Sequence, residues 1–421
     1  MTTASGRCPG KRYLVGGAVR DRLLGLPVKD RDWVVVGATP EAMLAAGFKA
    51  VGKDFPVFLE PQTGEEHALA RTERKSGRGY RGFTFHADAG VTLEDDLLRR
   101  DLTINAIAED EDGHLVDPRG GLRDLEARVL RHVSPAFVED PVRVLRVARF
   151  HARFAPLGFR IADETLALMR AIVASGEIDH LVAERVWQET AKALNSARPS
   201  AYFDDLRACG ALSRVMPELD ALSGVPQRAD YHPEVDSLVH TLMCVDMAAR
   251  LGYGLPVRYS ALVHDLGKGR TPQGEWPSHR LHDVRGVPLV EAFSARLRVP
   301  AECRDLAVLH TREHLLIHRA FELRPVTLVE LLGRLQAFRP GERFEQVLQA
   351  STCDARGRLG FEEKAYEQAD YLREARDVAA RLQARDVLAE AQPREGAAIG
   401  ERLRELRAAA LRRWRATRVV S

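Results

Sequence analysis

The strand signals of this chain stop at about Ser134, and everything after that point reads as helix. Before it, short apolar runs alternate with helical segments. Arg12-Tyr13-Leu14-Val15 is a strand ending in Gly16-Gly17, residues 18–24 form a helix closed by Gly25, and Trp33-Val34-Val35-Val36 is a second, largely buried strand stopped by Gly37. Thr39-Pro40-Glu41 has the cap-then-proline order of a helix start. Val57-Phe58-Leu59 and residues 66–70 read as further strands around Gln62-Thr63-Gly64. Thr92-Leu93-Glu94-Asp95 is a capping-box pattern opening a helix to about Ala108. Residues 71–90 carry four glycines among many charges and few aliphatics, which predicts a mobile surface loop. Past Ser134 the period of the apolar residues predicts helices over 140–154, 162–175, 183–195 and 202–209. A histidine-bearing helical block follows over 232–320, then a polar helical end. The expected fold class is therefore α+β, a small mixed-sheet head followed by an all-α body. The expected domains are 1–138, 139–225, 226–338 and 339–421.

Charge narrows the function classes. Across 421 residues, 62 basic side chains face 60 acidic ones. That excludes a uniformly basic nucleic-acid coat and an acidic tail, though not a local basic track. One such track closes the chain, where residues 385–421 hold nine Arg against five acids. Of the 62 basic residues 54 are Arg, an excess that codon usage can produce, so no motif rests on it alone. Cys8, Cys209, Cys244, Cys303 and Cys353 are dispersed and odd in number, which argues for reduced thiols. Residues 1–11 lack an apolar signal core, and no apolar run approaches a membrane span. A cytoplasmic protein without a membrane partner is expected.

Two features of the head carry chemistry. Gly16-Gly17 between a strand and a helix lets backbone approach a ligand and turns the helix N–H groups toward an anion. Asp30 and Asp32 stand two apart at a strand start, so both carboxylates face one side. Like charges held side by side call for a cation, and the pair suits one or two Mg²⁺ ions at a triphosphate. Glu66 is the suspected third carboxylate, with Glu65 its competitor. Asp140 and Arg143, three apart on a predicted helix, share a face. As an acceptor beside a donor they match the amino group and ring nitrogen of cytosine or adenine, and mismatch guanine and uracil. Spacing alone favours an ion pair on a solvated face. Arg143, Arg146 and Arg149 advance in threes toward a triphosphate, with Arg100 opposite.

Taken together, Gly16-Gly17-Ala18-Val19-Arg20-Asp21 followed by Asp30-x-Asp32 resembles the polymerase-β-type nucleotidyltransferases. Arg99-Arg100-Asp101-Leu102-Thr103-Ile104-Asn105-Ala106 and Glu139-Asp140-Pro141-Val142-Arg143 resemble motifs of their class II tRNA branch, the bacterial CCA-adding enzymes. The resemblance implies template-independent addition of the tRNA 3′-terminal CCA from CTP and ATP, with release of pyrophosphate. It implies catalytic Asp30 and Asp32 with Mg²⁺, and nucleotide contacts from Gly17, Arg20, Arg100, Asp140, Arg143, Arg146 and Arg149. Asp101 and Asn105 take supporting roles. The tRNA is the expected partner of a monomer or homodimer, and the basic tail is expected to touch it.

The helical block holds eight of the 14 histidines. His240, then His264-Asp265, then Asp305 resembles the ligand order of HD-domain phosphohydrolases, which implies a divalent transition metal such as Ni²⁺. It also implies hydrolysis of 2′,3′-cyclic phosphates and phosphomonoesters. Which of His279, His282, His310 and His314 join is left open by their crowding. Rival readings are a poly(A) polymerase with the same head, an HD phosphohydrolase with a degenerate head, and a non-catalytic RNA-binding module.

Overall fold

The computed structural model describes residues 8–51, 57–75, 83–86, 89–388 and 397–418. The chain divides into two compact units. One holds the chain up to Ala193 with Ala201–Val215, and the other holds Leu194–Ser200 with everything from Met216 on.

In the first unit, strands β1 (Lys11–Val15), β2 (Asp32–Val36), β3 (Lys49–Val51), β4 (Val57–Leu59) and β5 (Glu66–Leu69) are followed by a separate antiparallel ribbon, β6 (Thr72–Lys75) with β7 (Phe83–His86), and then by β8 (Ala108–Glu109) and β9 (Leu115–Val116). Seven strands form one sheet in the order β3-β4-β5-β2-β1-β8-β9, with β2 and β5 parallel and the other pairs antiparallel. Both faces are covered, which is why β2 reads as a continuous apolar run. Val34 packs with Val15, Leu93 and Leu97 on one face, and Val35 with Met43, Phe58 and Leu69 on the other. The register sets Val15 opposite Asp32 and Asp32 beside Glu66. The turn after β1 and two carboxylates are thereby brought to one end of these three strands.

Three local expectations are corrected. Residues 71–90 contain the β6–β7 ribbon; its sequence signal, the alternation Phe83-Thr84-Phe85-His86, is masked by surrounding charges and glycines, and residues 76–82 and 87–88 lie outside those described. The helix opened by Thr92 has the full capping box but ends at Leu98. Asp101 takes the Leu102 N–H at 2.8 Å, and Leu102 and Thr103 pair with residues 131 and 132, so tertiary pairing displaces the helical ladder. One strand follows Ser134 among the described residues, the two-residue β11 (Arg160–Ile161) beside β10 (Val129–Leu130). Elsewhere the helical expectations hold within a few residues, as in Val142–Phe154, Asp163–Ala174, Ala183–Leu194 and Ser200–Ala208.

The second unit is helical. Ser237–Arg250 starts on Asp236, whose carboxylate accepts the Leu238 and Val239 N–H groups. Leu255–Val263 and Arg343–Arg356 pack against it, Ala301–His318 packs on both of these, and His282–Arg296 packs on Ala301–His318. A side chain at Gly267 would meet the His282 carbonyl at 1.9 Å, so only glycine lets the segment after Asp265 approach that helix. All five cysteines are free thiols, and no described helix is long and apolar enough to cross a membrane.

Candidate nucleotide and metal centres

A cavity of about 620 Å³ in the first unit collects most of the head's expected residues. Gly16 has φ 68° and starts the helix Gly17–Leu23. A Cβ there would lie 3.0 Å from an Arg100 terminal nitrogen, so glycine keeps the turn open to it. Asp30 and Asp32 line the same cavity and are solvent-open. Surrounding protein desolvates the Asp32 carboxyl and pushes it above its ordinary range; Arg100 opposes this and the Asp30 charge adds to it. Glu65 accepts a hydrogen bond from the Trp33 indole at 2.7 Å, whereas Glu66 stands in register beside Asp32.

The arginines are held by a buried network rather than standing free. Asp101 accepts from the Asn105 side-chain amide at 2.9 Å and from Arg146 Nε at 2.7 Å, while Arg20 donates to Asn105 Oδ1. Burial alone would raise the Asp101 carboxyl, but Arg146, Asn105 and Arg143 outweigh it and hold it far below its ordinary range. Arg149 binds Glu189 and lies 4.1 Å over the Phe150 ring. Arg100 pairs with buried Asp96 at 3.1 Å. Asp101 and Asn105 thus orient Arg20 and Arg146.

Asp140 and Arg143 differ from expectation. Asp140 precedes the helix in an extended conformation, φ −116° and ψ 104°. The two do not form the ion pair that spacing allows. Arg143 donates to the Ala136 and Arg99 carbonyls at 3.0 and 2.6 Å, and Asp140 is paired with Arg185 from another helix. Both still line the cavity.

In the second unit, the imidazoles are arranged for a cation. His264, His282 and His314 each place Nδ1 on a backbone carbonyl one turn back, at 2.9, 2.9 and 2.8 Å. His240 Nδ1 meets Glu234 at 3.0 Å and the Gly357 carbonyl at 3.2 Å. With Nδ1 as donor, each Nε2 is a lone pair aimed inward. His240 Nε2 lies 3.2 Å from Asp354 Oδ1, and His264 Nε2 lies 3.3 Å from Asp265 Oδ2. On the other carboxylate oxygen, His282 Nε2 is 3.3 Å and His314 Nε2 3.9 Å from Asp265 Oδ1. The His282 and His314 Nε2 atoms face each other at 3.1 Å, two lone pairs that need a positive species between them. His264 Nε2 and Asp265 Oδ1 are buried without a hydrogen-bond partner. This donor set, mixed imidazole and carboxylate, fits a divalent transition cation on either side of Asp265.

Lys268 binds Asp265 at 2.6 Å. Burial would raise the Asp265 carboxyl, but the His264 imidazole, when it carries its second proton, and the Lys268 ammonium hold it well below its ordinary range. His318, bonded to Asp354 at 2.6 Å, and His264 do the same for Asp354. Burial pushes His310 down to about 3, and its Nδ1 lies 3.1 Å from the Ser260 hydroxyl. His279 is taken up by Pro226 and Thr271.

Residues 12–131 match the family described as "Poly A polymerase head domain", 158–222 "Probable RNA and SrmB- binding site of polymerase A", and 238–337 "HD domain". The "Multifunctional CCA protein" of Alkalilimnicola ehrlichii is 62% identical over 375 residues, 89% of this chain and 91% of the relative. That of Thioalkalivibrio sulfidiphilus is 59% identical over 406 residues, 96% of this chain and 99% of the relative. The chain belongs to the multifunctional CCA protein family. Solved structures share the fold: a Thermotoga maritima CCA-adding enzyme complexed with tRNA (TM-score 0.61, 18% identity, 94% and 86% of the two chains) and a Bacillus stearothermophilus CCA-adding enzyme with CTP (TM-score 0.59, 22% identity, 97% and 95%).

Within this family member, one expected metal residue is out of place. Asp305 is exposed and paired with Arg304 at 2.8 Å, because it lies on the outer face of Ala301–His318. The second carboxylate that meets His240 and His264, beside Asp265, is Asp354, on Arg343–Arg356 and past residue 338. Its signal is a lone acid on the buried face of Val347, Ala350 and Ser351. Glu234 behind His240 was likewise missed. In the basic tail, Arg407 donates to the Leu382 carbonyl and Arg415 to the Leu323 carbonyl, so these two pin the helix Ala397–Arg418; Arg404, Arg412 and Arg413 are exposed.

Proposed function

We propose that this chain adds and repairs the 3′-terminal CCA of tRNA with CTP and ATP, releasing pyrophosphate. The observation that carries this is the convergence of the Gly16-Gly17 turn, Asp30, Asp32, Asp140 and the arginines in one cavity. Asp30 and Asp32, with Glu66, would hold Mg²⁺. Ions bound there supply activation of the attacking 3′-hydroxyl and neutralise the leaving group. The chain's own residues do the rest. Gly17 presents the helix N-terminus to the triphosphate. Arg100, Arg146 and Arg149, fixed by Asp96, Asp101 and Glu189, offer their remaining N–H groups to phosphate oxygens; Arg20 holds the wall behind them. Asp140 accepts from the amino group of cytosine or adenine. Arg143, with three of its five N–H groups beyond the two carbonyl bonds, donates to the adjacent ring nitrogen. Incubating the protein with tRNA lacking CCA and each nucleotide tests this: growth by C, C and A is expected, and a long A tail would overturn it.

A second activity is supported by the buried imidazole cluster. His240, His264, Asp265 and Asp354, with His282 and His314, would hold divalent transition metal. A cation there polarises a phosphoryl oxygen. The cluster opens into a cavity of about 580 Å³ that carries Lys268, Arg358 and Lys364 beside Tyr231 and Phe361, room and chemistry for a phosphoester of a nucleoside. Hydrolysis of 2′,3′-cyclic AMP and 2′-AMP, dependent on added Ni²⁺ or another transition metal, is the expected result; metal-free protein that still hydrolyses them would sink it. The exposed Arg404, Arg412 and Arg413 are the tail's contribution to tRNA binding, and the cytoplasm is the compartment that free thiols and tRNA chemistry suit.

A further inference from the structure

The pairing of Asp140 was not anticipated, and its hydrogen-bond count matters. Asp140 sits before the helix Val142–Phe154, and among the described residues the backbone holds its carboxylate through one N–H only, that of Val142. Its Oδ1 accepts the Val142 N–H at 3.1 Å and Arg185 Nη1 at 3.3 Å. Its Oδ2 accepts Arg185 Nη2 at 2.9 Å. Arg185 comes from the helix Ala183–Leu194, lines the same cavity and is part-buried. A carboxylate offers about four acceptor positions. Three are filled here by described residues, and the fourth is on Oδ2.

We infer that Arg185 is a positioning residue for base selection: its two-pronged grip on Asp140 leaves a single acceptor for one exocyclic amino N–H. This rests on the reading that Asp140 and Arg143 select the base. A planar fork fixes both the rotation and the tilt of a carboxylate, which a point charge does not. With the fork in place, the carbonyl of uracil or guanine meets an oxygen that cannot turn away. Without it, Asp140 swings about χ1 and χ2, and the mismatch is relieved by rotation. Arg143 is buried and held by two backbone carbonyls, so Asp140 is the half of the pair with freedom to lose.

The test measures kcat/KM for CTP, UTP, ATP and GTP on tRNA lacking CCA, with the full chain and with Arg185→Gln, Arg185→Lys and Asp140→Ala. Thermal melts serve as the folding check. The expected result for Arg185→Gln is a fall of about tenfold or more in the CTP:UTP and ATP:GTP ratios, the scale of one lost fixed hydrogen-bonding pair. Arg185→Lys, which keeps charge without the fork, should regain part of the CTP rate but little of the ratio. If all four nucleotides slow equally, Arg185 is merely structural and the inference falls. The same holds if the ratios stay within twofold while Asp140→Ala loses them. If Asp140→Ala itself leaves the ratios unchanged, the selection reading beneath the inference is what fails. Should Arg185→Gln not fold, the Lys variant alone decides, by the same ratios.

Discussion

The two centres keep their carboxylates in opposite surroundings. In the first unit Asp30 and Asp32 are open to solvent, and the buried acids Asp96 and Asp101 are taken up by arginines. In the second, Asp265 and Asp354 are buried and imidazole nitrogens point at them. Water can screen the open pair until a metal-bearing triphosphate arrives. Two neutral imidazoles with both Nε2 lone pairs 3.1 Å apart repel unless a proton or a metal cation lies between them, so the buried centre calls for a resident positive charge. The lesson is that solvent exposure of the carboxylates distinguishes a site whose charge comes with the substrate from one whose charge must already be there.

Separability is the sharpest way to break this comparison. Asp32→Ala should lower CTP incorporation about a thousandfold, the upper range for removing a preorganised electrostatic group, with 2′,3′-cyclic AMP hydrolysis intact. Asp265→Ala should do the reverse. A variant that loses both activities would mean the two centres are not independent.

Next in size is the exchange of Asp305 for Asp354. Asp354→Ala should cut hydrolysis about a hundredfold or more, while Asp305→Ala, on an exposed face, changes neither activity by more than about twofold. Steady-state kinetics with 2′,3′-cyclic AMP decides, and an impaired Asp305→Ala would reverse the assignment.

Glu234→Gln should weaken transition-metal affinity about 10- to 100-fold by loosening the grip on His240 Nδ1, with less effect at saturating metal. A metal titration followed by thermal shift reads this directly. An unchanged midpoint would make Glu234 dispensable.

The smallest effect is on stability. Asp101 has its carboxyl depressed in the folded state, so its contribution is complete above the ordinary carboxylate pKa near 4 and is lost as pH falls below it. Asp101→Asn should lower the unfolding midpoint at neutral pH and flatten its fall between about pH 5 and 3. An acid limb as steep as that of the parent would remove Asp101 from the account.

What could be read in advance followed sequence distance. Gly16, Gly17, Asp30 and Asp32 lie close in the chain, and strand alternation is enough to aim them together. Asp354 was not legible from the histidine block because an all-helical unit draws its site from whichever helices pack, and only its place on an apolar face betrays it. Arg185 was illegible for a related reason: its partner is on a different helix, and an arginine near a helix start is unremarkable by itself. The β6–β7 ribbon was hidden because charges and glycines interrupt its short alternating run.

The pairing of Val15 with Asp32, and of Asp32 with Glu66, also makes the sheet a measuring rod. Side chains alternate along a strand, so a slip of one residue would turn Asp32 to the opposite face and carry both valine faces out of their packing. Chain length is therefore free in the connection between Gly25 and Asp30 but counted residue by residue inside β1, β2 and β5. One codon inserted within β2 should silence transfer more completely than several inserted between Gly25 and Asp30.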